Sequence, residues 1–459
     1  MFMNKFYSKK VGYFGRCLLV ATAATLAAPA LEKAASTAGF NVDLGAKAFA
    51  QDSKKKRALP GISEAFFKKL GKVADLASPP EKKDGTQPPG DFRAALEELK
   101  DVEEDCSKCN AYELAQIYNY YGWIYYSLED FKNSIKYYRK VIEQSPNIPW
   151  GLELQVTYTL VQLMFAQEDY ASALKMLNTW MGISETVGDD AYYLKSQICY
   201  QMDDKACALE NINIAVKMAE KDGDIAKEPW LSLQKALYLE KEDYKSSLPI
   251  IEKMVRHYPK KSYWQQLAGV YGMLEREKDQ YYTLDAAYTM GALEKEQQLL
   301  NLAYLSMANE YPFKAAKIVE KGMNDKIIEQ NAKNLETLAI AWRQAKDTDK
   351  AIPAMQRAAE KSDNGDLYGQ LLSLYLYIDD NKKAVDAGKK ALAKGDLKRA
   401  GEINLNLGIA HLELAQYDSA IKAFKKAKED KRVKRTADNW LQHAQREKFR
   451  AEQLAAAAG

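Results

Sequence analysis

The chain has 459 residues, of which 47% are hydrophobic, with 66 Lys and Arg against 63 Asp and Glu. This length exceeds the roughly 100–200 residues of one compact domain, but a repeat array escapes that limit because each repeat packs only on its neighbours. Because positive and negative residues nearly balance, the net charge of the chain does not indicate binding to nucleic acid or to an acidic membrane surface. Three widely separated His residues argue against a histidine-based metal or catalytic cluster: His257, His411 and His443.

The N-terminus has the pattern of an export signal. Four basic residues, Lys5, Lys9, Lys10 and Arg16, precede an apolar run of 14 residues, 17–30. Such a run suits a signal peptide and is short for the ~20 residues of a spanning helix. Sites of the small-x-small type end at Ala30 and Ala50. We therefore predict an export segment at 1–50, with an uncleaved anchor or a merely apolar cytoplasmic N-terminus as alternatives.

A short region of different character precedes the regular part of the chain. Residues 51–57 are charged and predict a flexible linker. Residues 58–108 predict a divergent helix pair interrupted by a proline-rich loop at 78–90. Ser63 is placed to cap the first helix, and a single stripe of apolar residues is predicted to face inward: Ile62, Phe66, Phe67, Leu70 and Val73.

From residue 91 onward one phrase recurs: an acidic residue, an aromatic residue, two variable residues and a small residue. Successive copies are 33 to 39 residues apart, close to the ~34-residue period of tetratricopeptide repeats. The small residue that closes the phrase lets two helices approach closely. The acidic residue that opens it lies in the turn and can cap the second helix. The closing positions are Ala95, Ser134, Ala173, Ala208, Ser247, Gln280, Ala315, Ala351, Ala384 and Ala420, with Gln280 the least regular.

The resemblance to tetratricopeptide repeat (TPR) proteins extends beyond the period to residue types at fixed offsets: Tyr118, Tyr121, Gly122, Tyr125, Ser134, Tyr138, Val141 and Pro146. It implies an all-α, right-handed superhelical solenoid. We expect about nine clear repeats at 109–430 after the divergent pair. Residues 431–459 are expected to form a capping helix and tail, with Trp440 and Leu441 facing inward.

Three phrases resemble a narrower group, the periplasmic TPR proteins encoded beside TonB–ExbB–ExbD systems: 59–63 (LPGIS), 263–271 (YWQQLAGVY) and 314–316 (KAA). This resemblance implies a periplasmic accessory of energised outer-membrane uptake, with TonB, ExbB or ExbD components among its partners. The alternatives are a cell-envelope or peptidoglycan-associated assembly factor and a generic TPR adaptor unrelated to TonB.

Two cysteine pairs leave several interpretations open. Cys106 and Cys109 form a CxxC turn that could be a disulfide, a redox pair, part of a metal site or two free thiols. Redox and metal chemistry are disfavoured because the βαβ context and further ligands are absent. Cys199 and Cys207 flank a predicted turn, where Cys199 is either a small core residue or one half of a bridge.

The sequence lacks the phosphate-binding, metalloprotease and hydrolase motifs, so we predict a non-enzymatic protein without a cofactor that binds a protein or peptide and no nucleic acid. In TPR arrays the first helix of each repeat lines the binding groove, and its groove-facing positions here are rich in aromatic and amide side chains. The alternative is that these rings only pack between hairpins. The predicted groove residues are Asn119, Tyr120, Trp123, Tyr126, Tyr158, Gln162, Phe165, Tyr193, Gln197 and Tyr200. Oligomeric state stays open.

Overall fold

The computed structural model describes residues 61–80, 86, 88–221 and 223–458. All regular structure in these ranges is α-helical, and the helices follow one another in antiparallel pairs. The predicted all-α repeat fold is therefore confirmed. The predicted export segment at 1–50 and linker at 51–57 lie outside the described residues. Contacts between residues divide the chain into two compact units, of which the first ends at Glu242 and the second begins at Asp243. Each unit is described by itself.

The first unit contains nine described helices. Three regular hairpins, α3/α4, α5/α6 and α7/α8, follow the divergent pair α1/α2. The helices are α1 Glu64–Ala77, α2 Phe92–Glu104, α3 Ala111–Ser127, α4 Phe131–Ile142, α5 Trp150–Ala166, α6 Tyr170–Ile183, α7 Asp189–Gln201, α8 Lys205–Ala219 and α9 Glu228–Glu240.

The second unit begins with one helix, continues with five hairpins from α11/α12 to α19/α20, and ends on a long helix. Its described helices are α10 Tyr244–His257, α11 Lys261–Met273, α12 Glu277–Thr289, α13 Glu296–Ala308, α14 Pro312–Asn324, α15 Ala332–Gln344, α16 Thr348–Lys361, α17 Asp366–Tyr377, α18 Asn381–Lys394, α19 Ala400–Glu413, α20 Tyr417–Ala427 and α21 Lys434–Ala458.

The same tight turn recurs within the array. In the hairpin α3/α4, Glu129 adopts a left-handed conformation (φ 61°), and the Asp130 amide donates to the Tyr125 carbonyl at 2.9 Å. This is the six-to-one bond of a Schellman ending. The Asp130 carboxylate then caps the next helix by accepting from the Asn133 amide at 3.1 Å. Left-handed residues occupy equivalent positions at Glu129, Glu168, Asp203, Glu242, Glu275, Glu310, Lys346, Asp379 and Ala415.

The small residues that close the repeated phrase are the points of closest helix approach. Nine of them have no exposed surface, and the Ser134 hydroxyl donates to the Gly122 carbonyl on the facing helix at 2.8 Å. A Cβ at Gly122 would lie 2.7 Å from the Tyr138 ring. The irregular position holds the larger Gln280, which fits because it faces Gly272. A Cβ added to Gly272 would lie only 2.6 Å from the side-chain amide of Gln280.

The divergent pair α1/α2 differs from the sequence prediction at one position. Ser63 caps α1 as expected, and Phe66, Leu70 and Val73 are buried, but Phe67 is 51% exposed. Consecutive residues of an α-helix point about 100° apart, so Phe66 and Phe67 cannot both face the core. The prediction for Phe67 was wrong for this reason.

The last helix α21 packs along α20 and closes the second unit. Leu441 is buried, and the Trp440 ring stacks on Phe424 with 6.1 Å between ring centroids, as predicted for a cap. Across the described ranges, every helix falls short of the length or apolar content needed to cross a membrane.

Candidate functional site

Three first helices of the first unit carry the same surface pattern. On α5 and α7 the predicted residues recur at i, i+4 and i+7, and on α3 Asn119, Trp123 and Tyr126 have this spacing too. Side chains at these intervals share one face of a helix. Nine of the ten predicted groove residues are half-buried and Asn119 is buried. We call this stripe the groove face: Asn119, Trp123, Tyr126, Tyr158, Gln162, Phe165, Tyr193, Gln197 and Tyr200.

Tyr120, also predicted to line the groove, is one residue along α3 from Asn119 and three residues before Trp123. Its ring meets the edge of Trp123 with centroids 6.1 Å apart and packs with the core of α1 and α2. Burial, together with the carboxylate of Asp75, raises the pKa of Tyr120. This ring therefore joins the first regular repeat to the divergent pair before it.

Asn119 is the most unusual residue of the groove face. Its side chain is 6% exposed, and its Oδ1 atom is buried without a hydrogen-bond partner among the described residues. An unpaired buried polar group costs about 1–3 kcal/mol. Native proteins rarely carry such a group without a reason. Asn119 thus holds unused hydrogen-bonding capacity between aromatic neighbours.

The aromatic rings of the groove face are held by contacts with other helices. Tyr158 on α5 packs on Trp180 of α6 with centroids 4.9 Å apart, and Tyr193 on α7 stacks on Trp230 of α9 at 5.2 Å. Burial, reinforced by the carboxylate of Asp190, raises the pKa of Tyr158 far above its ordinary value. Both rings are packed against a tryptophan, and the Tyr158 hydroxyl stays neutral over the physiological pH range.

Polar contacts also orient the third helix of the groove face. The Gln197 amide donates to the Tyr193 hydroxyl at 3.2 Å, and the Tyr200 hydroxyl donates to Glu240 Oε1 at 3.0 Å. The groove face itself contains no Lys, Arg, Asp or Glu. Lys227, which precedes α9, is paired with Asp190 at 2.8 Å and covers the Trp230 ring.

Sequence reasoning missed the two tryptophans that support the groove face. Neither tryptophan is at a groove-facing offset. Trp180 lies near the end of α6, the second helix of its hairpin, and Trp230 lies near the start of α9, which is a first helix. Trp180 is 7% exposed, with an indole Nε1 that is buried and lacks a hydrogen-bond partner within the described ranges. Neither residue is part of a repeated sequence pattern. Trp180 contacts Tyr158 within the hairpin α5/α6, and Trp230 contacts Tyr193 from α9, the helix that follows the hairpin α7/α8.

Both cysteine pairs of the first unit are joined as disulfides in the structure. Cys106–Cys109 spans the turn before α3, with Cα atoms 5.0 Å apart, and Cys199–Cys207 connects α7 to α8 with Cα atoms 5.8 Å apart. Cys199 is also fully buried, so it is a core residue and a bridge partner at once. In the described ranges, His, Cys, Asp and Glu form no group able to hold a metal ion.

Comparisons with solved structures return TPR proteins. MamA is 20% identical over 38% of this chain and 94% of its own, with a TM-score of 0.33. YrrB, described as a TPR protein with an unusual peptide-binding site, is 15% identical over 41% and 90%, with a TM-score of 0.32. A TPR protein from Parabacteroides merdae is 16% identical over 56% and 98%, at 0.27. These scores are too low to carry an argument about this chain.

Comparison with curated protein sequences finds no match. Two tetratricopeptide repeat family models match the chain directly, one at residues 115–148 in the first unit and one at residues 401–429 in the second. The first matched segment contains most of α3 and all of α4, and the second contains most of α19 and all of α20. Both hairpins have the left-handed turn and the buried small residue that recur in the unmatched hairpins. The chain therefore contains tetratricopeptide repeats, matched directly at 115–148 and at 401–429.

Proposed function

We propose that the protein is a non-enzymatic scaffold that binds an extended polypeptide segment along the groove face of its first unit. The observation that carries this proposal is the buried, unpartnered amide oxygen of Asn119. A primary amide offers one acceptor and two donors, which match the N–H and C=O groups of a peptide main chain. The match does not depend on which way the amide is turned, because both of its ends can bond to a main chain.

The chemistry of the groove face also indicates the kind of segment that it accepts. Two of its rings, Tyr158 and Tyr193, are held by Trp180 and Trp230, and such rings offer apolar contact area that costs little ordering entropy on binding. Its remaining side chains are amides, and it lacks a cation to hold an acidic terminus. The expected occupant is a neutral segment with apolar side chains, bound through its main chain and without a charged anchor.

We further propose that the protein works in the periplasm as an accessory of a TonB–ExbB–ExbD system. The predicted export segment at 1–50 and the narrower family resemblance support this proposal. The disulfides Cys106–Cys109 and Cys199–Cys207 suit an oxidising compartment, since disulfides persist outside the cytosol. A reporter fused after Asp52 should be exported, and a reporter that stays cytoplasmic would remove the periplasmic assignment.

The binding proposal is tested with peptides selected from a displayed random library on the immobilised full chain. Their affinities are then measured for the wild type, Asn119→Leu and Asn178→Leu. Asn178 is exposed on α6, so its variant controls for loss of an amide elsewhere. We expect selected peptides to lack charge and to bind Asn119→Leu about tenfold more weakly, the equivalent of one hydrogen bond, with Asn178→Leu unchanged. Equal affinities for all three proteins would show that the groove face is not the site.

The TonB assignment needs its own measurement. The periplasmic parts of TonB and ExbD from the same organism are tested for binding to the full chain. Binding that weakens with Asn119→Leu supports the assignment. Peptide binding at the groove face without binding to either component would leave a scaffold unrelated to TonB.

A further inference from the structure

The second unit carries a local charge excess that the balance of the whole chain conceals. Residues 381–435 contain fifteen Lys and Arg against seven Asp and Glu, whereas the complete chain has a formal net charge of only +3. This segment comprises α18, α19 and α20 with the loops that follow them. Its cations are concentrated on the outward sides of the two second helices, α18 and α20.

Eight exposed cations form what we call the basic face. They lie on α18, on α20 and at the junction of α20 with α21, and all are exposed to solvent. Residues three, four or seven positions apart on a helix share one side, as do Lys382 and Lys389 on α18 and Lys422 and Lys425 on α20. The basic face consists of Lys382, Lys389, Lys390, Lys422, Lys425, Lys431, Lys434 and Arg435.

The cations of the basic face differ from their neighbours in lacking counter-charges. Lys383 pairs with Asp380 at 2.8 Å and Lys428 with Asp438 at 2.6 Å, as is usual for surface charges. Within the described ranges, none of the eight has a carboxylate oxygen within 4.0 Å. Like charges held together without counter-ions repel one another, and an anionic partner would relieve this repulsion.

The two repeats that carry the basic face are locked together at their loops. The Arg432 guanidinium donates to the Lys398 carbonyl at 3.2 Å, which joins the loop after α20 to the loop after α18. Asp430 lies so close to Gly401 that an added Cβ would be 2.3 Å from it. The cations of both repeats are therefore presented on one rigid framework.

We propose that the basic face docks on an anionic phospholipid surface. Seven of its eight cations are lysines, which act as point charges and lack the planar fork with which arginine recognises individual carboxylates. A broad, lysine-rich face suits a diffuse sheet of negative headgroups. Each lysine is expected to raise vesicle affinity about fivefold at low salt.

The test measures co-sedimentation of the full chain with two kinds of vesicle. One contains phosphatidylcholine alone, and the other contains phosphatidylcholine with one third phosphatidylglycerol. The difference between them measures the charge-dependent part of binding, and the variants below separate the basic face from the basic residues of the N-terminal segment. Four lysines of the basic face are changed to Glu together: Lys389, Lys390, Lys422 and Lys425. The matched control changes four exposed lysines of the first unit in the same way: Lys132, Lys175, Lys217 and Lys241.

We expect the wild type to bind the phosphatidylglycerol vesicles preferentially and to be released by 0.5 M salt, because salt screens exposed charges. The basic-face variant should lose at least tenfold in vesicle affinity, and the control should stay within twofold. Three outcomes would overturn the proposal: no preference for phosphatidylglycerol, equal losses in both variants, or retention on polyglutamate without retention on vesicles. The last would identify an acidic polypeptide as the partner.

Discussion

Glu113 accepts two hydrogen bonds from Ser63, one from its amide and one from its hydroxyl, both at 2.9 Å. The other carboxylate oxygen accepts from the Asn110 amide at 3.1 Å. One buried carboxylate thus serves the starts of two helices, α1 and α3, by joining residues that are fifty positions apart in the chain. It fixes the divergent first pair to the first regular repeat.

Glu113→Gln is expected to destabilise the packing of α1 on α3 by about 1–2 kcal/mol, since charge-assisted hydrogen bonds are lost. Burial raises the pKa of Glu113, but hydrogen bonds from Ser63 and Asn110 outweigh it and hold the pKa below its ordinary 4.5. The charged form therefore stabilises the fold above about pH 4.5, and this contribution is lost as the pH falls through the lowered pKa. Hydrogen exchange of α1 from pH 7 to pH 3 measures it. Glu104→Gln, at an exposed position, should leave α1 protection unchanged.

Asn119→Leu is expected to stabilise the first unit by about 1 kcal/mol while it weakens peptide binding. The change removes a buried oxygen that has no partner and keeps a similar volume, so the desolvation penalty of that oxygen disappears. Denaturant unfolding of the variant measures the gain. A destabilised variant would mean that Asn119 already has a partner inside the fold. In that case it is a structural residue and does not contact a ligand.

Substitution of glycine by alanine is expected to have opposite effects on stability at Gly122 and at Gly269. Gly122→Ala should destabilise by about 1–3 kcal/mol, because the new methyl group would meet the Tyr138 ring at 2.7 Å and overpack the hairpin. Gly269→Ala on α11 should stabilise by up to about 1 kcal/mol, because that site has open space and alanine favours helix. Urea midpoints of the two variants measure both signs. A stabilising Gly122→Ala would contradict the close approach of the helices.

His411 is expected to make the stability of the second unit depend on pH near neutrality. Burial lowers the pKa of this residue and nearby Lys389 adds to the effect, although a hydrogen bond with Gln416 opposes them. The unfolded chain therefore takes up a proton more readily than the folded one. Stability should fall as the pH drops through about 6.5, the ordinary value. His411→Gln should flatten the profile of unfolding midpoints between pH 7.5 and 5.5, whereas His443→Gln should keep the slope of the wild type.

Much of this fold could be predicted because its signals are local and repeated. The small residues from Ala95 to Ala420 and the capping acids such as Asp130 define each hairpin, and the structure places them as expected. The burial of Asn119 and its missing partner could not be predicted, because both depend on how adjacent repeats pack. The same holds for Trp180 and for the uncompensated lysines of α18 and α20, since a charge pattern does not reveal which ions pair.

The left-handed residue that ends each first helix has a consequence for changes in chain length. Glu310 and Lys346 occupy the same place in successive turns, with φ values of 68° and 59°. Removing residues 310–345 would join Asn309 to Lys346. Lys346 would then take the place of Glu310 in a turn of the same geometry, and the helices on both sides would keep their relative orientation. The second unit can therefore be shortened or lengthened by whole hairpins, which makes modular exchange of repeats a practical route to new binding surfaces.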